Sequence, residues 1–308
     1  MRKVIGIGET ILDVIFRNDQ PTVAVPGGST FNAMVSLARA GIKVEFISQI
    51  GDDHVGDLIE GFMLKNGMDT RYMMRRKGVK TDISLAFLNE NNDAKYSFYK
   101  DYQNQQASIE LPSIGKEDII LLGSFYSLNS LTRPTVGRLL EEAKAQGAIV
   151  YYDPNFRANH QQELIHLMPN MIENFEAASI IRGSNEDFGY IFGLTEPDKI
   201  YNEKIKFYGA PFICTTAHGD VSLRTSTTAK EYPVPRLQTV STVGAGDNFN
   251  AGILYGLIHE GIYGDNLPLL NGNDWDKVVE YGICFASQAC LSYDNYISSE
   301  FARSLREK

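Results

Sequence analysis

Short apolar runs rich in β-branched residues alternate with helical patterns along most of this 308-residue chain, and nothing else in the sequence restricts the fold as much. The runs at 4–7, 44–50, 119–122, 149–152, 179–182 and 212–215 are mainly apolar throughout, as strands covered on both faces must be. The patterns at 30–40, 56–66, 134–146 and 164–175 place apolar residues on one face at helical spacing. Such alternation predicts an α/β fold: a doubly wound, mostly parallel sheet with helices on both faces. Two segments, approximately 11–25 and 82–100, break the pattern, because apolar and polar residues alternate there with no helix between them. Leu85-Ala86-Phe87-Leu88, a turn-rich 89–93 and Tyr96-Ser97-Phe98-Tyr99 read as a hairpin. The two segments are expected to form one small sheet over a cleft, with edge strands of the main sheet as the other reading. At least two of Tyr96, Phe98 and Tyr99 are expected in the core of that small sheet. With no internal repeat, linker or low-complexity stretch, residues 1–308 read as a single domain.

With 43% hydrophobic and 22% charged residues, the chain has the material for a large core. Its net charge is −9, and apart from Arg75-Arg76-Lys77 the basic residues are scattered. That distribution argues against nucleic acid or an anionic membrane surface as a partner. Cys214, Cys284 and Cys290 have no metal-ligand spacing and lie in apolar surroundings, as thiols of a reducing compartment do. Lys3-Val4-Ile5-Gly6-Ile7-Gly8 leaves no signal-peptide core, and no apolar stretch approaches the ~20 residues that span a bilayer. A soluble, cytoplasmic protein is the expectation.

The chemistry concentrates at Val240-Ser241-Thr242-Val243-Gly244-Ala245-Gly246-Asp247. Small residues stand just ahead of a helical face made by Phe249, Ile253, Leu254, Leu257 and Ile258. Backbone N–H groups at a helix start are unpaired and carry partial positive charge, so a bare turn there accepts an anion. A carboxylate inside such a turn opposes anion binding unless it has other work. Placed to take a hydroxyl proton beside donors that hold a phosphoryl group, it completes the pairing a small-molecule kinase requires. The same residues suit a glycine-rich loop in which Asp247 is only a helix cap. On local sequence the two readings weigh equally.

Four further stretches precede that turn: Gly8-Glu9-Thr10-Ile11-Leu12-Asp13, Pro26-Gly27-Gly28-Ser29-Thr30-Phe31-Asn32-Ala33, Gly51-Asp52-Asp53-His54-Val55-Gly56 and Asp153-Pro154-Asn155-Phe156-Arg157. In this order they resemble the ribokinase-like (PfkB-type) carbohydrate kinases over essentially the whole chain. Gly8 to Asp13 and Tyr96-Ser97-Phe98-Tyr99-Lys100 resemble the fructokinase branch. The resemblance implies a ribokinase-like domain whose two alternating segments form a β-sheet lid. It also implies ATP with Mg²⁺ as the phosphoryl donor and a sugar hydroxyl as acceptor, fructose ahead of 2-keto-3-deoxygluconate. Sugar and ATP are then the partners, and a homodimer is left open.

Residue by residue, the resemblance makes Asp247 the catalytic base. It is expected to be exposed and near the ordinary pKa of ~3.9, which suffices because the alcohol becomes acidic as its bond to phosphorus forms. The amides of Gly244, Ala245 and Gly246 would hold the developing charge. Asp13, Gly28 and Asn32 fall at positions that bind sugar hydroxyls. Asp153, Asn155 and Arg157 would face the cleft from a strand end, with Arg157 either meeting an anion or pairing with a structural carboxylate. Lys100 stands where relatives use a cation toward a substrate carboxylate. Ser184, Asp187, Thr215 and Gly219, with Gly244 and Gly246, would line the nucleotide.

The nucleotide side departs from the family pattern. An expected Asn-x-x-Glu appears as Ser184-Asn185-Glu186-Asp187; counting back from Gly193 selects Ser184 and Asp187, whereas the letters favour Asn185, and the metal contacts stay unassigned. Thr215-Thr216-Ala217-His218-Gly219-Asp220 carries Ala217 in place of a glycine, and His218 reads as either near adenine or an exposed loop residue. Ser241 replaces an aspartate and Asn295 falls near a loop glycine, which together argue against a monovalent-cation site. There is no Gly-x-x-x-x-Gly-Lys loop, which excludes a P-loop kinase. Gly6-x-Gly8 lacks its third glycine, Ile11 standing there, which excludes a dinucleotide-dependent dehydrogenase. A regulatory homologue without turnover is a further reading, opposed by the retention of Asp247 with its whole turn.

Overall fold

The computed structural model describes residues 2–89, 94–101, 109–216 and 220–307. Its strands are β1 (Lys3–Ile7), β2 (Ile11–Arg17), β3 (Gln20–Gly27), β4 (Lys43–Gly51), β5 (Met73–Arg76), β6 (Ile83–Leu88), β7 (Ala94–Tyr99), β8 (Ile119–Gly123), β9 (Ile149–Asp153), β10 (Ile180–Ser184), β11 (Phe212–Thr215), β12 (Val221–Arg224) and β13 (Ala229–Tyr232). The expected α/β architecture is present. Nine strands form one sheet in the order β13-β12-β11-β10-β9-β8-β1-β4-β5. All its neighbours run parallel except β11–β12 and β12–β13, an antiparallel edge. β1, β8 and β9 are buried at every residue because each of their faces meets a helix layer. Phe31, Phe46, Trp275 and Phe285 belong to the core on one face, and Tyr152, Phe175, Phe188 and Phe212 to the core on the other. Short β5, β12 and β13 were not legible in the sequence, having four residues each and little continuous apolar character.

The topology decides where chemistry can sit. From β1 the sheet grows through β4 to β5 on one side and through β8 toward β13 on the other. Oppositely directed crossovers leave a crevice beyond the carboxyl ends of the central strands. Asp153, Ser184 and Thr215 close β9, β10 and β11 at that edge.

The two alternating segments form one four-stranded sheet, β3-β2-β6-β7. β2 pairs antiparallel with β3 and parallel with β6, and β6 pairs antiparallel with β7. Its core is small: Ile15, Val25 and Ala86, backed by Val23 and Leu88. The aromatic residues of β7 do not enter it. Tyr96, Phe98 and Tyr99 are 38%, 49% and 61% exposed, because β7 is an edge strand with no layer beyond it. Residues 90–93 of the expected hairpin turn lie outside the described residues.

Candidate active site

Gly28 opens the site. Its φ of 124° is strained for any other residue, and a Cβ there would strike the carbonyl of Glu9. The bare Cα lets the helix Ser29–Arg39 start against the loop that follows β1. One turn in, Asn32 is buried, and its Nδ2 donates to Asp247 Oδ2 at 2.8 Å. Asn32 Oδ1 is buried without a partner, an acceptor left over in a polar site. Asp13, on β2, accepts hydrogen bonds from the Ser84 hydroxyl of β6 and from Asn295 Nδ2 at 3.4 Å. Burial pushes its carboxyl up to about 6; the Ser84 bond opposes this, and the charges of Asp247 and Glu9 reinforce it.

Asp247 itself corrects an expectation. It is half-buried, not exposed, and burial raises its pKa, with the hydrogen bonds from Asn32 and Ser29 pulling the other way. A carboxylate poised above the ordinary range is a better proton acceptor than the exposed one expected. It lies in the first turn of the helix Ala245–His259, whose cap Gly244 has φ 78°. A Cβ on Gly244 would stand 2.9 Å from the carbonyl oxygen of Asn295, so the turn closes only on a bare residue. The expected trio of amides also needs correction. Ala245 N–H donates to the Thr242 carbonyl at 3.2 Å, closing the turn, while the N–H groups of Gly244, Gly246 and Asp247 carry no hydrogen bond among the described residues. Those three amides remain for an anion.

On the nucleotide side, Asp153 does not face open cleft: it is 2% exposed. Its Oδ2 accepts from Arg182 Nη1 and from Asn250 Nδ2, each at 2.6 Å, and its Oδ1 accepts from the Asn155 N–H at 3.1 Å. Arg182, read in the sequence only as the end of a strand, is buried here; burial works against its charge, and Asp153, Tyr151 and Asp187 together more than offset that. An arginine closing an otherwise apolar strand was the signal that marks it. Ser184 caps the helix Asn185–Phe192 in a reciprocal box: the Asp187 N–H donates to Ser184 Oγ at 3.1 Å, and the Ser184 N–H to Asp187 Oδ2 at 2.8 Å. Both side chains bond each other, and Gly193 ends that helix. Thr215 Oγ1 accepts from Arg182 Nη2 at 2.9 Å. Gly219, with Ala217 and His218, lies outside the described residues.

Lys100 is not offered to a substrate carboxylate alone. Its Nζ sits 2.6 Å from Glu9 Oε2, with both side chains largely covered. Arg157 is exposed and forms no ion pair among the described residues, yet it is near enough for its charge to lower the Asp247 and Asp187 carboxyls. Tyr96 on β7 is 38% exposed as a whole, but its phenol group is covered, and that burial, with the charges of Asp13 and Asp247, pushes it up to about 12. Among the described residues, no group of three His, Cys, Asp or Glu side chains is placed to hold a metal ion, and no helix is long and apolar enough to cross a membrane.

A half-buried carboxylate beside amides without hydrogen bonds among the described residues, at the carboxyl edge of a doubly wound sheet, is the pairing that a small-molecule kinase requires. A profile described as pfkB family carbohydrate kinase matches residues 1–301, and the chain belongs to that family. Among curated relatives, a fructokinase from Escherichia coli is 25% identical over 85% of this chain and 87% of its own length. A 5-dehydro-2-deoxygluconokinase from Geobacillus thermodenitrificans is 26% identical over 94% of this chain and 87% of its own. A crystal structure of fructokinase from Vibrio cholerae O395, in its fructose, ADP and calcium-bound form, superposes with a TM-score of 0.85 at 19% identity, covering 99% of each chain. That match speaks for the fold.

Proposed function

We propose that this kinase transfers the γ-phosphoryl group of ATP to a hydroxyl of a neutral sugar, with fructose the first candidate. The observation that carries the reading is the position of Asp247, hydrogen-bonded to Asn32 and set directly among the unpaired amides of Gly244 and Gly246. Asp247 takes the hydroxyl proton as the oxygen bonds to phosphorus, and the amides face the charge that develops on the transferred group. Asn32, with its spare Oδ1, and Asp13 orient the sugar hydroxyls. Mg²⁺ enters bound to the triphosphate, as that ion usually does. The small sheet, with Tyr96 near enough to feel the charges of Asp13 and Asp247, acts as a lid that keeps water from the phosphoryl group.

Lys100 supports a neutral acceptor, since its charge is already matched by Glu9. Exposed Arg157 supports the second reading, a sugar acid such as 2-keto-3-deoxygluconate, because a guanidinium free of ion pairs among the described residues can meet a carboxylate. Coupled ADP release across fructose, ribose, 2-keto-3-deoxygluconate and nucleosides separates them: the reading expects fructose to have the highest kcat/KM. Asp247→Asn is expected to lower kcat by ~10²–10⁴ with sugar binding retained; near-wild-type turnover would remove Asp247 from the chemistry.

A further inference from the structure

We propose that Arg182 is a positioning residue for phosphoryl transfer: tied to the ends of β9 and β11, its guanidinium keeps the Gly244–Gly246 turn in shape and sets positive charge behind it. The proposal rests on the reading of that turn as the phosphoryl site. β10 delivers Arg182 between two neighbouring strand ends, where Nη1 donates to Asp153 and Nη2 to Thr215. The guanidinium also lies against the helix that carries Asp247. A Cβ on Gly246 would stand 3.2 Å from Nη2 and 3.4 Å from Nη1. One turn further, the Phe249 ring centre is 5.5 Å from the guanidinium carbon. Asn250 of the same helix shares the Asp153 oxygen that Arg182 uses. A single side chain thus braces the first two turns of this helix against two strands.

Stability alone is a weak reason for such an arrangement. Arg182 is buried, its Nε has no partner, and it pairs with a buried Asp153, an arrangement that apolar residues in place of both partners often match in stability. An anion hole, by contrast, works only when its amides are aimed before the charge develops. A rigid, planar cation packed on the second glycine of the turn supplies that aim, and the missing side chain at 246 is what admits it.

The test uses the full-length enzyme with Arg182→Met and Arg182→Lys. Three quantities are read: kcat per folded enzyme, sugar KM, and affinity for ADP–aluminium fluoride relative to ADP, with Mg²⁺ and sugar present. Expected for Arg182→Met are a kcat lower by tenfold or more, a sugar KM within threefold, and a relative affinity for the fluoride complex lower by tenfold. Arg182→Lys retains charge but loses the planar contact, and should show a smaller loss of the same kind; it carries the test if the Met variant fails to fold. A purely structural role would lower melting temperature while leaving the affinity ratio intact. A ratio and a kcat within twofold of wild type in the folded variants overturn the proposal. If the wild type shows no preference for the fluoride complex and Asp247→Asn retains turnover, the reading of the turn fails and takes this proposal with it. If the wild type shows the preference and the variants keep it, only this proposal falls.

Discussion

Replacing Asp13 by Asn should make the unliganded protein more stable at neutral pH while weakening sugar binding. Burial holds this carboxyl at about 6 in the folded chain, against ~3.9 in an unfolded one. At about 1.4 kcal/mol per pKa unit, keeping it ionised at pH 7.5 costs about 3 kcal/mol at most. An amide keeps the acceptor that Ser84 needs. The new N–H₂ also finds a partner, because Asn295 Oδ1 is buried and unpartnered and rotation of that amide turns it toward position 13. A net gain of about 1–3 kcal/mol follows once partial solvent access is discounted. With about 2.1 cal/mol/K of unfolding entropy per residue, 1 kcal/mol moves the melting temperature of this chain by about 1.5 °C, so a rise of about 2–4 °C is expected. The sign with pH is specific. Between about 4 and 6 the folded wild type holds a proton that the unfolded chain has released, so wild type loses stability relative to the variant as pH rises through about 6. Urea unfolding should show the full gap at pH 7.5 and almost none at pH 4. A variant less stable than wild type at pH 7.5, or a gap equal at both pH values, would refute the argument. Sugar KM should rise at least tenfold, a trade of function against stability found at binding sites.

Gly244→Ala forces a side chain onto a φ of 78° and against the Asn295 carbonyl, which also accepts from Asn248 Nδ2 at 2.9 Å. We expect about 1–3 kcal/mol lost in denaturant unfolding and kcat down tenfold or more, because the amides move with the turn. Since Asp247 must be ionised to accept a proton and burial raises its pKa, kcat/KM should fall on acidification at a pH above the ordinary aspartate value of ~3.9; a profile flat down to pH 4 contradicts this. Ser241 offers no carboxylate, and its Oγ accepts the Val243 N–H at 3.2 Å. Activity at matched ionic strength should therefore differ little between K⁺ and Na⁺, and strong saturable activation by K⁺ would show that the cation site survives in another form.

The sequence alone determined six of the nine strands of the large sheet, several of the helices that cover it and the turn that bears Asp247. Strand and helix periodicity follow from which faces must be buried, and the turn's character follows from adjacent small residues; both are local properties of the chain. What a charged group meets is not local. Asp13 meets Ser84 and Asn295, 71 and 282 residues away, and this company, with burial, turns a plain carboxylate into one held at about 6. Asp153, read as open to the cleft, is buried by Arg182 and Asn250 from two other elements. Lys100, read as standing where relatives use a cation toward a substrate carboxylate, meets Glu9 across 91 residues. Only the tertiary structure could decide these, because desolvation and pairing depend on which distant residues the sheet topology brings to one edge, and no periodicity in the chain encodes that meeting.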